Sequence, residues 1–395
     1  MPAYIHHITT GVPENYFSQS FARDFMKQHV ADRPALSRIL HSIYTRSAIE
    51  KRHSVMKELH EENGDGIFFE HGPNGNGFLN PGTGSRNQRY TEEAKALFVH
   101  VARQTLSESA FGANDVTHVI TVSCTGFFAP GPDYFIVREL GLRPEVRRYH
   151  IGFMGCYAAF PALKMAESIT AENPDAVVLI AAVELCTLHL QDKTDTDSLI
   201  SASVFADGGA GVLVSAQAPR SGRPAFAIRG LHTALTPQGE RDMAWTIGDN
   251  GFDMVLSTYI PDIIEANLRD LLTPFFEDHI APENFGYWAV HPGGRAILDK
   301  IQHALGLTEA ALHPSRETLR NFGNMSSATF LFVMKNILRR MQHGEADTLL
   351  QKPVIGMAFG PGLTVETGFF KPVNSSKDQK SDAREGERRN AAFSA

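Results

Sequence analysis

The chain has 395 residues, of which 43% are hydrophobic, 21% charged and 9% aromatic, with a formal charge of −7. That apolar content excludes disorder for the bulk of the chain, and the length fits two domains or one large duplicated unit. The longest purely apolar run, residues 176–183, falls far short of the roughly 20 residues needed to span a bilayer. The acidic balance provides no long basic face for nucleic acid. Met1 to His7 shows no charged segment leading into an apolar one, so no signal peptide and a cytoplasmic location are expected. Three cysteines, Cys124, Cys156 and Cys186, are too few and too widely spaced for a disulfide framework.

In chain order, residues 62–88 are rich in Gly, Asn and Pro and read as a surface excursion. From about residue 90 to 370, β-branched runs alternate with amphipathic stretches. Strands are expected at 116–122, 148–151, 176–183 and 210–215, with helices at 133–140 and from Cys156 to about 171. The second half repeats the theme. A helix is expected over about 254–275, a strand ending at His291, a helix after Gly294, another over 328–341, and a strand at 353–359. This alternation predicts an α/β protein with largely parallel sheets. Residues 371–395 carry 6 basic and 4 acidic groups and few apolar ones, and read as a mobile tail.

Cys156 follows an apolar strand and Gly155 and opens a helical pattern, an arrangement whose unpaired amides favour thiolate. The plain alternative is a buried core cysteine. Cys124 and Cys186 each follow a strand and read as small wall residues. No CxxC or HExxH occurs, and the 17 histidines are scattered, so no metal site is expected. A reactive thiol needs a base and a third polar group. His291, at a strand end before Pro292-Gly293-Gly294, and Asn324, in Gly323-Asn324-Met325-Ser326-Ser327, are placed to serve, although each also fits a loop or capping role.

Cys156, His291 and Asn324 with their flanks resemble the type III polyketide synthases, the chalcone-synthase-like enzymes. Gly360-Pro361-Gly362-Leu363-Thr364-Val365-Glu366-Thr367, Gly141-Leu142-Arg143-Pro144 and Phe205-Ala206-Asp207-Gly208 extend the resemblance over roughly residues 1–370. It implies a thiolase-like fold, five αβαβα layers from two similar halves, here 1–230 with the nucleophile and 231–370 with His and Asn. It also implies a homodimer and CoA thioesters as substrates, with no resident cofactor. In that family the cysteine takes up an acyl group from acyl-CoA, and malonyl-CoA then extends it by decarboxylative condensation, before cyclisation.

By the same resemblance Phe205 is a gate, and Thr125, Ala129, Cys186, His189, Trp245, Met254 and Ser326 fall on cavity positions. Arg46 and Ala296 match CoA contacts, whereas Ser42 and Ile39 stand where the plant enzymes carry bases. Ala129 replaces a methionine of the plant enzymes and is expected to open a tunnel. Together with Thr125 and Cys186 it resembles the bacterial alkylpyrone and alkylresorcinol synthases, which take fatty acyl starters. Trp245 is expected to shorten the elongation space, giving two or three extensions. The alternatives are a ketoacyl synthase III-like single condensation, a cysteine protease with the same residue order, and a non-catalytic acyl-binding protein.

Overall fold

The computed structural model describes residues 2–30, 32–57, 67–72, 75–220, 222–236, 239–276, 282–344 and 346–373. The first half contains β1 (Tyr4–Gly11), β2 (Tyr16–Ser18), α1 (Gln19–Gln28), α2 (Pro34–Arg46), β3 (Lys51–His53), β4 (Phe69–Gly72) and β5 (Gly75–Phe78). It continues with α3 (Thr83–Glu108), β6 (His118–Ser123), α4 (Pro132–Leu140), β7 (Arg147–Gly152), α5 (Ala159–Glu172), β8 (Val177–Leu185), α6 (Thr196–Val204) and β9 (Asp207–Ser215). The second half holds β10 (Ala225–Leu235), β11 (Met243–Gly248), β12 (Gly251–Leu256), α7 (Ile260–Phe276) and β13 (Trp288–Val290). Then come α8 (Arg295–Leu305), α9 (Glu309–Phe322), α10 (Thr329–Gln342), β14 (Val354–Gly360) and β15 (Thr364–Val373).

Nine strands form one mixed sheet in the order β13-β14-β15-β10-β1-β9-β8-β6-β7. Pairs β13/β14, β6/β7 and β6/β8 are parallel, and the other five are antiparallel. This corrects the expectation of largely parallel sheets. Strand–helix alternation implies parallel neighbours only where the helix crosses over. Here β14 turns straight into β15 through Pro361, Gly362 and Leu363, and α6 returns the chain to run antiparallel to β8.

The duplication lies in the strand order. Outward from the centre the first half reads β1, β9, β8, β6, and the second reads β10, β15, β14, β13. The first strand of each half is central, the last lies beside it, and the penultimate comes next. The halves join where Tyr4 and Ile5 pair with Ala227 and Phe226. By this equivalence α5, which precedes β8, matches α10, which precedes β14.

Helices α5 and α10 form the middle layer. Their residues share one core cluster with the strands of both halves, and the Phe160 and Phe330 rings sit 4.5 Å apart. Outside, α3 packs on β1, β8 and β9, while α7 and α9 pack on β15 and β13. The result is the five-layered thiolase-like arrangement. On the outer face Gly211 is obligatory, because a Cβ there would lie 2.0 Å from Thr105 Oγ1 of α3.

Three local expectations change. The helix expected from residue 254 begins at Ile260, because Met254 pairs with Trp245 and Phe252 with Ile247 in the β11–β12 hairpin. That cross-strand pairing overrides the local helical pattern. The excursion over 62–88 falls partly outside the described residues, and its last six residues are the start of α3, where Arg86 is 1% exposed. The tail beyond residue 373 lies outside the described residues. Among the described residues, no helix is long and apolar enough to cross a membrane.

Phe330→Ala removes a fully buried ring at the contact between the two central helices. It is expected to destabilise the fold by about 3–5 kcal/mol, read as a lowered urea midpoint.

Candidate active site

Strand β7 ends at Gly152, and the chain then makes a tight bend with φ 59° at Phe153 and φ 79° at Gly155. Cys156 sits in a 3-10 turn, Gly155–Tyr157, and α5 begins only at Ala159. A Cβ at Gly155 would lie 2.6 Å from Pro361 Cδ, so the turn after β14 closes directly over the cysteine. The equivalent place in the second half holds Asn324, followed by the 3-10 turn Ser326–Ala328 and then α10. Chain duplication therefore sets Cys156 and Asn324 at matching ends of the two central helices.

Asn324 is locked on every side but one. Its N–H donates to Val204 O at 2.8 Å, and its C=O accepts from Ala206 N at 2.9 Å, bridging it to Phe205. Its Oδ1 accepts from Ser326 N at 2.8 Å, and its Nδ2 reaches Gly293 O only at 3.3 Å. The side-chain amide N–H groups are what remain for the cavity. His291 follows β13, its N–H donating to Met357 O at 2.7 Å. The ring is 1% exposed, and neither ring nitrogen has a hydrogen-bond partner. A buried orphan imidazole is costly and needs a reason.

Cys156, His291 and Asn324 line one cavity, together with Phe205, Thr125, Cys186, Trp245, Met254 and Ser326. A second, larger chamber adjoins it, and Cys186, Phe205, Trp245 and Met254 line both. His189 lies on the chamber side only. Ala129 lines neither space. It follows a stretch held away from the cavity by Asn87, whose Oδ1 accepts from Phe127 N at 2.8 Å and whose Nδ2 donates to Phe127 O at 2.7 Å. The space that adjoins the Cys156 cavity within one chain lies behind Cys186 and Trp245. Arg46, in the last turn of α2, and Ala296, in the first turn of α8, are exposed and stand off the cavity wall.

Burial pushes the Cys156 thiol up to about 11, reinforced by the charge of Glu184 and opposed by hydrogen bonds from Ser326 and Asn324. Burial pushes the His291 imidazole down to about 3. Both shifts favour the uncharged forms. The cysteine precedes the first α-helical turn and shares a dry site with a carboxylate.

Glu184 was not singled out from sequence. It is fully buried and accepts from Thr125 Oγ1 at 2.8 Å, Cys124 N at 3.0 Å and Ser327 Oγ at 2.5 Å. Cys124 Sγ donates to Glu184 at 3.3 Å and stands 3.5 Å from Ser326 Oγ, which completes a chain of polar contacts to Cys156. The available signal was a lone carboxylate in an otherwise apolar strand. Among the described residues, no group of three His, Cys, Asp or Glu side chains is placed to hold a metal ion.

Family models match both halves: the N-terminal domain of chalcone and stilbene synthases over residues 1–218, and the C-terminal domain over 229–374. The chain belongs to the chalcone and stilbene synthase family. It is a type III polyketide synthase by family, an acyltransferase-type enzyme. The solved structure of PKS-I from the brown alga Ectocarpus siliculosus is similar over 94% of this chain and 98% of that one, with 26% identity and a TM-score of 0.86. The C-terminal type III polyketide synthase domain of Steely1, a type I/III hybrid from Dictyostelium, shares the fold at 24% identity and a TM-score of 0.83. That match covers 95% of this chain and 100% of that domain.

Two variants should move the reactivity of Cys156 in opposite directions. Ser326→Ala removes a bond that favours thiolate, so the pH profile of iodoacetamide capture should shift upward and capture at pH 8 should slow roughly fivefold. Glu184→Gln removes a repelling charge, so the profile should shift downward. Mass spectrometry of the labelled peptide reads both.

Proposed function

We propose that this polyketide synthase loads a fatty acyl group from acyl-CoA onto Cys156, extends it with malonyl-CoA and cyclises the product to an alkylpyrone or alkylresorcinol. The observation that carries the reading is the pair of joined spaces. Cys156 faces the smaller one, and the larger is walled by apolar side chains of α1 and by Phe252, a lining suited to an aliphatic chain.

The residues supply each step. As Cys156 Sγ attacks the thioester carbon, its proton passes to a free nitrogen of His291, which returns it to the departing CoA sulfur. Because both partners are neutral at rest, charge develops only as the bond forms. Loss of CO₂ from malonyl-CoA then leaves its electron pair as an enolate. The Asn324 amide and a ring N–H of His291 donate to the enolate oxygen. The carbanion attacks the acyl carbon, the C–S bond breaks, and the sulfur of Cys156 is freed. Apolar walls keep water from the carbanion.

The CoA portion is assigned to the surface that carries Arg46 and Ala296, and no resident cofactor enters the scheme. The working form is a homodimer in the cytoplasm. An assembly is supported by β7, an edge strand whose residues Arg147 to His150 are exposed, since an open strand edge is a template for pairing with a second chain. Trp245 and Met254 narrow the passage between the two spaces, which favours two or three extensions.

With radiolabelled malonyl-CoA and acyl-CoAs from two to eighteen carbons, product should peak at medium to long chains. Ala202→Phe intrudes into the larger chamber and should shift that optimum to shorter chains by several carbons while short-chain turnover persists. Turnover of aromatic starters with none from any aliphatic acyl-CoA would overturn the reading.

A further inference from the structure

The larger chamber is not uniformly apolar. Phe17, Phe25, Met26 and Leu190 make its greasy walls, but at the C-terminal turn of α6 three polar side chains converge. Arg52 is 3% exposed and donates from Nη1 to Ala202 O at 2.8 Å and to Phe205 O at 2.6 Å, and from Nε to Gln19 Oε1 at 2.9 Å. Tyr44, 2% exposed, directs its O–H at the same Ala202 carbonyl, at 3.3 Å. Next along the helix is Ser201, whose Oγ is buried on the chamber wall without a hydrogen-bond partner.

A chamber built only to hold hydrocarbon has no use for this corner. A buried hydroxyl without a partner costs free energy that any plain methyl-lined surface would avoid. The Arg52 guanidinium, on the wall of the same chamber, is committed to the Ala202 and Phe205 carbonyls and to Gln19, and its positive charge adds attraction for an electron-rich atom. We infer that this corner is a subsite for an oxygen carried by the starter acyl chain away from its thioester, so that the substrate class is an oxygenated acyl-CoA. Ser201 Oγ donates to that oxygen, or accepts from it when it is a hydroxyl. The inference rests on the reading that the acyl chain occupies the larger chamber. It narrows the starter from any aliphatic chain to one with an oxygen at a fixed distance from the sulfur.

The test compares dodecanoyl-CoA with a set of hydroxydodecanoyl-CoAs bearing the hydroxyl at carbons 6 to 12, using the full-length enzyme and radiolabelled malonyl-CoA. One or two adjacent positional isomers should exceed dodecanoyl-CoA about tenfold in kcat/KM, with the difference in KM. Ser201→Ala should erase that preference, and Ser201→Thr, which keeps the hydroxyl, should restore most of it. Equal thermal midpoints for the three proteins confirm that folding is not the cause. Turnover of dodecanoyl-CoA with no favoured isomer, or a preference that survives Ser201→Ala, overturns the subsite and leaves the aliphatic reading standing. No product from any of these thioesters overturns both.

Discussion

The contact between α5 and α10 is the constraint on which the site depends. Each helix belongs to one half of the duplicated chain, and each starts from a 3-10 turn that carries chemistry. Packing of Phe160 on Phe330 brings the two helices together in the middle layer, and their leading turns meet as a consequence. Cys156 and Asn324 are therefore juxtaposed by core packing, a far more rigid support than a surface loop. His291 joins them from β13, a strand that pairs in parallel with β14, whose following turn closes over Cys156.

Around that centre the protein holds buried charges in place with neutral partners. Arg86 donates to Leu188 O at 2.6 Å and Leu190 O at 2.7 Å, fixing the segment that carries Cys186 and His189. Asp207 accepts from Thr187 N and Val55 N, both at 2.8 Å, and burial pushes its carboxyl up to about 6. Arg52 caps the end of α6 before Phe205. Each such group is expensive to desolvate, and each is stable only because several dipoles converge on it. The arrangement is sensitive to geometry, which is what a site needs when a reacting sulfur must meet an acyl carbon within a few tenths of an ångström.

The strands and helices that carry Cys156, His291 and Asn324 were legible in sequence, and these three residues, singled out by their glycine-flanked motifs, line one cavity. Apolar runs rich in β-branched residues such as 176–183 admit one reading. What was not legible has physical causes. The sense of strand pairing depends on whether a helix crosses the sheet, and local pattern carries no record of that. Met254 sits in a window with helical periodicity, yet its cross-strand partner Trp245, nine positions back in the chain, decides its conformation. The upward shift of the Cys156 thiol comes first from burial, to which Glu184 adds, and both arise only through folding.

The wall between the two spaces shows how such a fold can tune what it accepts. Trp245 is pinned by its Nε1–H to Cys124 O at 2.8 Å. His189 bonds Thr125 O at 2.8 Å through Nε2 and accepts from Phe252 N at 3.0 Å through Nδ1. Its ring stacks on Phe252 at 4.1 Å, and burial drives its pKa down to about 3, so it remains a neutral crosslink. Phe205 is held through its backbone by Arg52 and by the bridge to Asn324. Among the four side chains that line both spaces, Met254 is the long flexible one, unbranched and with three rotatable bonds. Rigid aromatic neighbours thus set the limits of the passage, and the thioether of Met254 adjusts its width within them. The width of the passage is then a property of one flexible side chain against a fixed frame.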